Sequence, residues 1–454
     1  MASKKIVGLG GGSLYFTRAV PDLALSRDLA GSEIVLYDID AEKAELMAQR
    51  GRQLAEQAGT GFTVRATTDL ADAVDGADFA LSSIGGSGAE VTADVYGSYY
   101  HGCDVRIPAK YGIQQIIGDT AGPGGMMMAF RSLAAYMPIC REMEKRCPGV
   151  LFLNHSNPMA VLCRAMRKYT NLNVIGICHG VQHGICAAAE ILGVSPHELE
   201  CAWIGTNHYY WFTSVRHGGR DVYPELMRRT AEQTAPAGRQ LSARLSQIHG
   251  YRIVYPEDDH IWEFYPFATA VDGFEGLPAY LQKAARAHGY DPAQPLAEGP
   301  TTSPEVRDLF LKKYRSLLAE TTLPEKQDNT VTGEGVGALI SATAHGREEP
   351  AIANIPNEGL VPNLPASAIV EVQATTHAKG VRGTPAGEAP MALKGILEKR
   401  FAWQELVADA GVKGDRRLAL QALLLDEMAI LPDQAEAMLN ELLAASRDLL
   451  PQFD

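Results

Sequence analysis

The chain has 454 residues, 46% apolar and 21% charged, with a formal net charge of −13. That length suits two or three ordinary domains or two large ones, and the acidic balance argues against a general nucleic-acid binder, which needs a basic face for phosphates. No apolar run approaches the roughly 20 residues of a membrane span, and the seven scattered cysteines, with no C-x-x-C pair, fit a reducing compartment better than a disulfide framework.

The elements begin at once. "KIVGLG" (Lys5 to Gly10) is a short apolar strand ending in glycines, which leaves no room for a signal peptide and predicts a cytoplasmic protein. "EIVLYDID" (Glu33 to Asp40) is a second buried strand ending in acids. Ala41 to Gly59 has helical periodicity and a closing Gly. "FTVRATTD" and "ADFALSSIGG" follow as strands. Met126 to Cys147 reads as a long apolar-faced helix after "GPGG". "VLFLNHSNP" and "NVIGICHG" are two more buried strands, each followed by a helix. Strand and helix alternating in this way predict an α/β fold with a parallel sheet covered on both faces.

After about residue 205 the pattern changes. "HYYWFTSVRHGGRDVYPEL" alternates like an antiparallel hairpin with a Gly-Gly turn. Residues 225–345 read as mostly helical, broken by a loop around Tyr255 to Pro266. "GLVPNLPASAIVEVQATTHAKGVRG" predicts another strand pair, and 415–450 two long amphipathic helices. The expected organisation is an N-terminal parallel-sheet domain, 1–205, and a C-terminal α+β domain, 206–454, which share an interface.

"GLGGGS" (Gly8 to Ser13) lies between the first strand and a helix, close to the G-x-G-x-x-G fingerprint, with Ser13 at the third glycine. Gly8 permits the tight turn, and Gly10 lets backbone approach a pyrophosphate at a helix N-terminus. Asp38 stands where a carboxylate accepts ribose hydroxyls and prefers NAD over NADP. The "SSIGGSG" loop (Ser82 to Gly88) lines the same crevice in such folds. The expected cofactor set is Gly8, Gly10, Gly11, Ser13, Asp38 and Ile84, with Asn154 at a neighbouring strand end.

Other polar groups cluster at strand ends. "NHSNP" (Asn154 to Pro158) carries two Asn, a residue depleted in strand interiors. "IGTNHYYWF" places Asn207 and His208 where the second half begins. "PEDDHIWEF" (Pro256 to Phe264) packs Glu257, Asp258, Asp259, His260 and Glu263 into a loop and helix start; a solvated acidic helix N-terminus would look the same. "IIGDTAGPGG" (Ile116 to Gly125) sets Asp119 before small residues suited to close backbone approach to a ligand. "ICHG" delivers Cys178 and His179 at a strand exit. Cys178 with a distant imidazole can hold a divalent transition metal. A nucleophilic cysteine or an ordinary buried pair are the other readings.

Taken in order, "GLGGGS", "DTAGPGG", "NHSNP", "ICHG", "GTNH", "DDHIWEF" and "NEGLVPNLP" resemble glycoside hydrolase family 4, from about residue 4 to residue 430. Within it the chain looks most like the melibiase-type α-galactosidases and the α-glucuronidases. The resemblance implies a lactate-dehydrogenase-like Rossmann domain, NAD(+), a divalent metal such as Mn(2+), and a homodimer or homotetramer. Carried over residue by residue, Cys178 and His208 are the metal ligands, and Asn154, Asn157, Asp119 and Asn207 contact substrate. His179 stands where the leaving-group acid is expected. Asp259 or His260 would be the base near C2, a role some members give to a Tyr, with Tyr251 in reserve. The implied activity is hydrolysis of a small α-glycoside, galactoside or glucuronide. Its steps are C3 oxidation, C2 deprotonation, elimination of the aglycone, water addition and re-reduction, an exception to the two-carboxylate scheme. For a uronate, Arg106, Lys110 and Arg131 are the nearby cations. The competing readings are an NAD-dependent dehydrogenase of a 2-hydroxy acid or polyol, and a non-catalytic NAD sensor.

Overall fold

The protein's structure is a computed structural model that describes residues 3–87, 97–232, 238–254, 257–300, 303–320 and 335–454. Gly88, Tyr255 and Pro256 of the motifs above lie outside the described residues, as do 233–237, 301–302 and 321–334 of the stretch read as helical.

Six strands follow the sequence reading: β1 (Lys5–Leu9), β2 (Glu33–Tyr37), β3 (Thr63–Thr67), β4 (Phe79–Ser82), β5 (Leu151–Asn154) and β6 (Asn173–Gly176). They pair in parallel in the order β3-β2-β1-β4-β5-β6, the doubly wound dinucleotide-binding order. Alternate side chains serve opposite faces. Val7, Val35, Ala80, Phe152 and Val174 enter one core, while Ile6, Ile34, Leu81, Leu153 and Ile175 enter the other. Helices cover both faces, so these strands are apolar throughout instead of alternating.

The helices of this half are α1 (Phe16–Ala24), α2 (Ala41–Ala58), α3 (Leu70–Val74), α4 (Tyr99–Lys110), α5 (Gly122–Arg146), α6 (Met159–Tyr169) and α7 (Gly180–Leu192). The Asp40 carboxylate accepts from the Glu42 and Lys43 N–H groups at 3.2 Å each, and Gly59, at φ 64°, closes α2. α5 begins four residues before the expected Met126. Pro123 suits a first helical turn because it has no N–H to waste. A Cβ on Gly124 would sit 2.8 Å from the Gly118 carbonyl oxygen, and one on Gly125 2.7 Å from the Thr120 carbonyl carbon. The small residues here thus let the helix press on the loop carrying Asp119.

The later half contributes to both sheets. β7 (Leu199–Thr206), β8 (Tyr209–His217) and β9 (Arg220–Asp221) form an antiparallel sheet. β10 (Pro350–Pro356), β11 (Ile369–His377) and β12 (Gly380–Gly383) extend the large sheet beyond β6, joined through Asn354 opposite Gly176. The division expected at 205/206 therefore falls within β7, and strands from the second half complete the first half's sheet. β7, β10 and the helix Met391–Lys413 were not read from sequence. That helix buries Leu393, Arg400, Trp403 and Val407 against several neighbours, which blurs any single apolar stripe. The expected C-terminal pair is Arg416–Leu425 and Pro432–Ala445, shorter than anticipated. No helix among the described residues is long and apolar enough to cross a membrane.

Gly10 shows how tightly the strand ends are packed. It sits at φ 77°, and a Cβ there would lie 2.3 Å from the Ser83 carbonyl oxygen. Gly10→Ala is expected to destabilise the fold by about 2 kcal/mol or more, measurable as a lowered urea midpoint. An unchanged midpoint would mean the two loops are not in contact.

Candidate active site

The strand ends of the parallel sheet gather the polar motifs in one place. Beyond β1, the Gly10 and Gly11 N–H groups both donate to the Tyr37 carbonyl, at 2.9 and 2.8 Å. The Gly12 N–H donates to Asp38 Oδ2 at 2.8 Å, and the Asp40 N–H to Asp38 Oδ1 at 2.8 Å. Burial raises the Asp38 carboxyl above its usual range, against these donors. Ile84 N–H donates to Ser156 Oγ at 2.9 Å, tying the second loop to the fifth strand. The Ser13 hydroxyl is buried with no hydrogen-bond partner among the described residues. From the later half, the Tyr314 hydroxyl donates to the Gly12 carbonyl at 2.6 Å.

A second cluster forms where β6 ends and the β7–β8 hairpin turns. Thr206 faces Tyr209, so the turn is Asn207-His208, with His208 at φ 61°. A non-glycine residue there carries on the order of 1 kcal/mol of strain. The turn brings His208 Nε2 to 3.7 Å from Cys178 Sγ, onto which the Gly180 N–H is also directed at 3.4 Å. The other ring nitrogen, Nδ1, lies 3.2 Å from Thr120 Oγ1, and Thr120 donates its proton to Asp119 Oδ1 at 2.6 Å. With that proton committed, Thr120 must accept from Nδ1–H, which leaves the Nε2 lone pair facing Cys178. Asn157 Nδ2 donates to Asp119 Oδ2 at 2.9 Å. Ligand atoms of Asp119, His208 and His260 all lie within 4.8 Å of one another, a grouping able to hold a metal ion.

The electrostatics follow from burial and neighbours. Burial, with His260 nearby, pushes the His208 imidazole down to about 3. Burial works against the Asp119 carboxylate, yet His260, His208, Thr120 and Asn157 hold it below the usual range. His260 is raised to about 9: burial opposes this, but the hydrogen bond to Asp259 and the charge of Asp119 prevail. Asp259 uses both oxygens, one 3.0 Å from His260 Nδ1 and the other 3.1 Å from His288 Nε2. Glu263, buried, accepts from the N–H groups of Ile116, Ile117 and Gly118 at 2.6, 2.7 and 3.0–3.1 Å, and from Gln115 Nε2 at 3.2 Å. Burial pushes its carboxyl up to about 7 in spite of these donors.

Comparison with known proteins follows the same lines. The family model described as "Family 4 glycosyl hydrolase" matches residues 5–193, and that of its C-terminal domain matches residues 203–429. The chain belongs to glycosyl hydrolase family 4. An α-galactosidase of Rhizobium meliloti is 28% identical over 100% of this chain and 90% of its own. An α-galactosidase of Bacillus subtilis is 28% identical over 99% and 100%. A crystal structure of a 6-phospho-α-glucosidase from gut microorganisms, in complex with NAD and Mn(2+), has a TM-score of 0.78 at 21% identity, covering 100% of both chains. At that identity it shows the shared fold.

Within this family 4 chain, the expected residues divide into two groups. Cys178, His208, Asp119, Asn157, Asp259 and His260 converge, and His179 caps α7 beside them, its ring 4.4 Å from that of His183. Asn154, expected at cofactor and sugar, is fully buried. Its Oδ1 accepts from Ser82, Tyr136 and the Ser156 N–H, and its Nδ2 donates to the Ser156 carbonyl. Asn207 Nδ2 donates to the buried Glu371 at 3.4 Å. Tyr251 packs against the apolar core around Trp211 and Phe264. Thr120, Gln115, His288 and Tyr314 escaped the sequence reading, since each acts through a partner far along the chain. Glu263 was visible only as part of an acidic run.

If the Glu263 carboxylate positions Asp119 by holding residues 116–118, Glu263→Gln should slacken that loop. An amide replaces one acceptor oxygen with a donor and forfeits about 2 kcal/mol or more of charge-assisted bonding. The expected result is a glycosidase kcat/KM at least about tenfold lower with an unchanged circular dichroism spectrum. Full activity in Glu263→Gln would remove this role.

Proposed function

We propose that the protein is an NAD(+)- and divalent-metal-dependent α-glycosidase, with an α-galactoside as the preferred sugar. The observation that carries the reading is the 3.7 Å approach of Cys178 Sγ to His208 Nε2, which brings a thiol and an imidazole nitrogen to one point at the end of β6. Two such donors on one tetrahedral ion lie about 3.6 Å apart. The glycine loop fits a dinucleotide in the same way: it is pinned to Tyr37 and Asp38 and holds the buried, unsatisfied Ser13 hydroxyl. For the sugar, the support comes from the two α-galactosidase relatives. It also comes from the cations considered for a uronate. Arg131 is buried in an ion pair with Asp104, Arg106 donates to the Asp291 and Gln294 carbonyls, and Lys110 pairs with Glu441 at the surface.

When bound, NAD(+) would supply a hydride acceptor and donor, and a metal ion such as Mn(2+), held by Cys178 and His208, would supply Lewis acidity toward the sugar. The chain's residues handle the protons. Once C3 is a ketone, the C2 proton is α to a carbonyl, and His260 takes it in its neutral form, which Asp259 and Asp119 make the minor form below about pH 9. Asp259, with both oxygens engaged by His260 and His288, orients that ring and does not act as base itself. Asp119, steadied by Thr120 and Asn157, binds the sugar hydroxyls. His179 protonates the departing oxygen. Water would then add, and bound NAD would supply the re-reduction of C3, so no net oxidation would occur.

The absence of a disulfide among the seven cysteines supports a reducing, cytoplasmic setting. We also propose a two-part chain, 1–205 and 206–454, and a homodimer or homotetramer, which light scattering would resolve.

The deciding assay is release of p-nitrophenol from aryl α-galactoside and α-glucuronide under thiol reductant, with and without NAD(+) and Mn(2+), while absorbance at 340 nm is followed. Release that needs both additions without accumulating NADH is expected. Steady NADH formation without cleavage would instead establish a dehydrogenase. A second prediction concerns the ligands. Removal of metal by EDTA should abolish turnover and Mn(2+) should restore it, whereas Cys178→Ser should lower kcat/KM by about 100-fold with a weaker Mn(2+) midpoint. An unchanged midpoint would dismiss Cys178 as a ligand.

A further inference from the structure

Next to the cluster is a cavity of about 640 Å³, lined by His183, Thr230, Arg239, Ser242 and Arg252 among others, with the exposed Glu190 as its one carboxylate among the described residues. His183 joins it to the site, because its ring packs on that of His179. The odd member is Arg252. It is only 8% exposed, its Nη1 donates to Thr230 Oγ1 at 2.8 Å, and its Nε is buried without an acceptor. Among the described residues no carboxylate lies within 4.0 Å of this guanidinium, whereas the three other arginines exposed by less than a tenth, Arg50, Arg131 and Arg400, each have one. A guanidinium cannot shed its proton, so burying one without an anion is costly. Burial and the like charge of Arg239 together push it down to about 10. Arg239 itself reaches Glu257 only at 3.5 Å, on the exposed side.

We propose that this cavity binds an oxyanion, a carboxylate or phosphate, carried by the substrate, with Arg252 as its principal donor and Arg239 as the second. The physical logic is that a planar fork with an unspent N–H is ready for bidentate pairing. Thr230 holds the fork in place. The inference rests on the glycosidase reading, but the oxyanion site can be tested apart from it.

The first experiment is binding of inorganic phosphate and of citrate to the intact protein by calorimetry. Saturable binding is expected, and it should weaken about tenfold or more in Arg252→Met and also in Arg239→Gln. Arg239 is partly exposed, so its variant keeps the test valid if Arg252→Met fails to fold. The second experiment compares kcat/KM for p-nitrophenyl α-galactoside with two anionic galactosides: its 6-phosphate, and an aryl galactoside bearing a carboxylate on the leaving group. One anionic analogue should exceed the neutral substrate, and the ratio should collapse in Arg239→Gln. The preferred analogue tells whether the anion sits on the sugar or on the leaving group. No oxyanion binding, or binding indifferent to both substitutions, overturns the proposal. Binding that depends on both arginines, with no glycoside cleaved, would keep the site and defeat the glycosidase reading instead.

Discussion

The arrangement hangs on one buried carboxylate. Glu263, from the later half, receives the N–H groups of Ile116, Ile117 and Gly118 from the earlier half. Three consecutive donors aimed at one side chain define a loop far more firmly than its own turns could, and charge-assisted bonds of this kind are among the stronger ones a protein makes. The loop so held carries Asp119, and the segment that holds it carries Asp259 and His260. One interaction thus ties together groups 140 or more positions apart in sequence. Neighbouring contacts reinforce it: the Trp262 indole N–H donates to the Gln114 carbonyl at 3.1 Å, and the Gln114 N–H to the Ala268 carbonyl at 2.8 Å.

From that anchor the order spreads by hydrogen bonds whose direction is forced. Asp119 can only accept while ionised, so Thr120 donates to it, and His208 must donate to Thr120. A tautomer that would otherwise be ambiguous is thereby set, and the nitrogen that faces Cys178 is the one that accepts. The hairpin turn that presents His208 accepts a left-handed residue to do so. Strain tolerated at such a point is characteristic of functional positions. Glycines serve the same geometry: Gly10, Gly124 and Gly125 remove side chains where two loops and a helix start must touch.

Much of this was legible in the residues themselves. The parallel sheet was readable because its strands, buried on both sides, are plain apolar runs separated by helical periodicity, and α2 ended where Gly59 said it should. The dinucleotide loop and Asp38 were readable because their spacing is local. Cys178 and His208 stood out as reactive groups at strand exits. Less legible were the strands β7 and β10 and the helix Met391–Lys413, whose burial from several directions leaves no simple period. Asn154 was legible as a polar group at a strand end, but its links to the Tyr136 and Ser82 hydroxyls and the Ser156 backbone were not, because they depend on the neighbouring strand and helix.

What the sequence determined on its own is therefore the set of parts: a Gly-rich turn, an acid after the second strand, a thiol, several imidazoles and carboxylates, and the class of fold that carries them. Those follow from local periodicity and side-chain chemistry, which are properties of neighbours along the chain. The tertiary structure decided which parts act together. It separated Asn157 from Asn154, turned Asp259 into the partner of His260, made Glu263 a clasp, and left Arg252 buried beside a cavity with no counter-ion among the described residues. Pairings of that kind depend on long-range hydrogen bonds and on desolvation, and neither is set until the two halves of the chain close on each other.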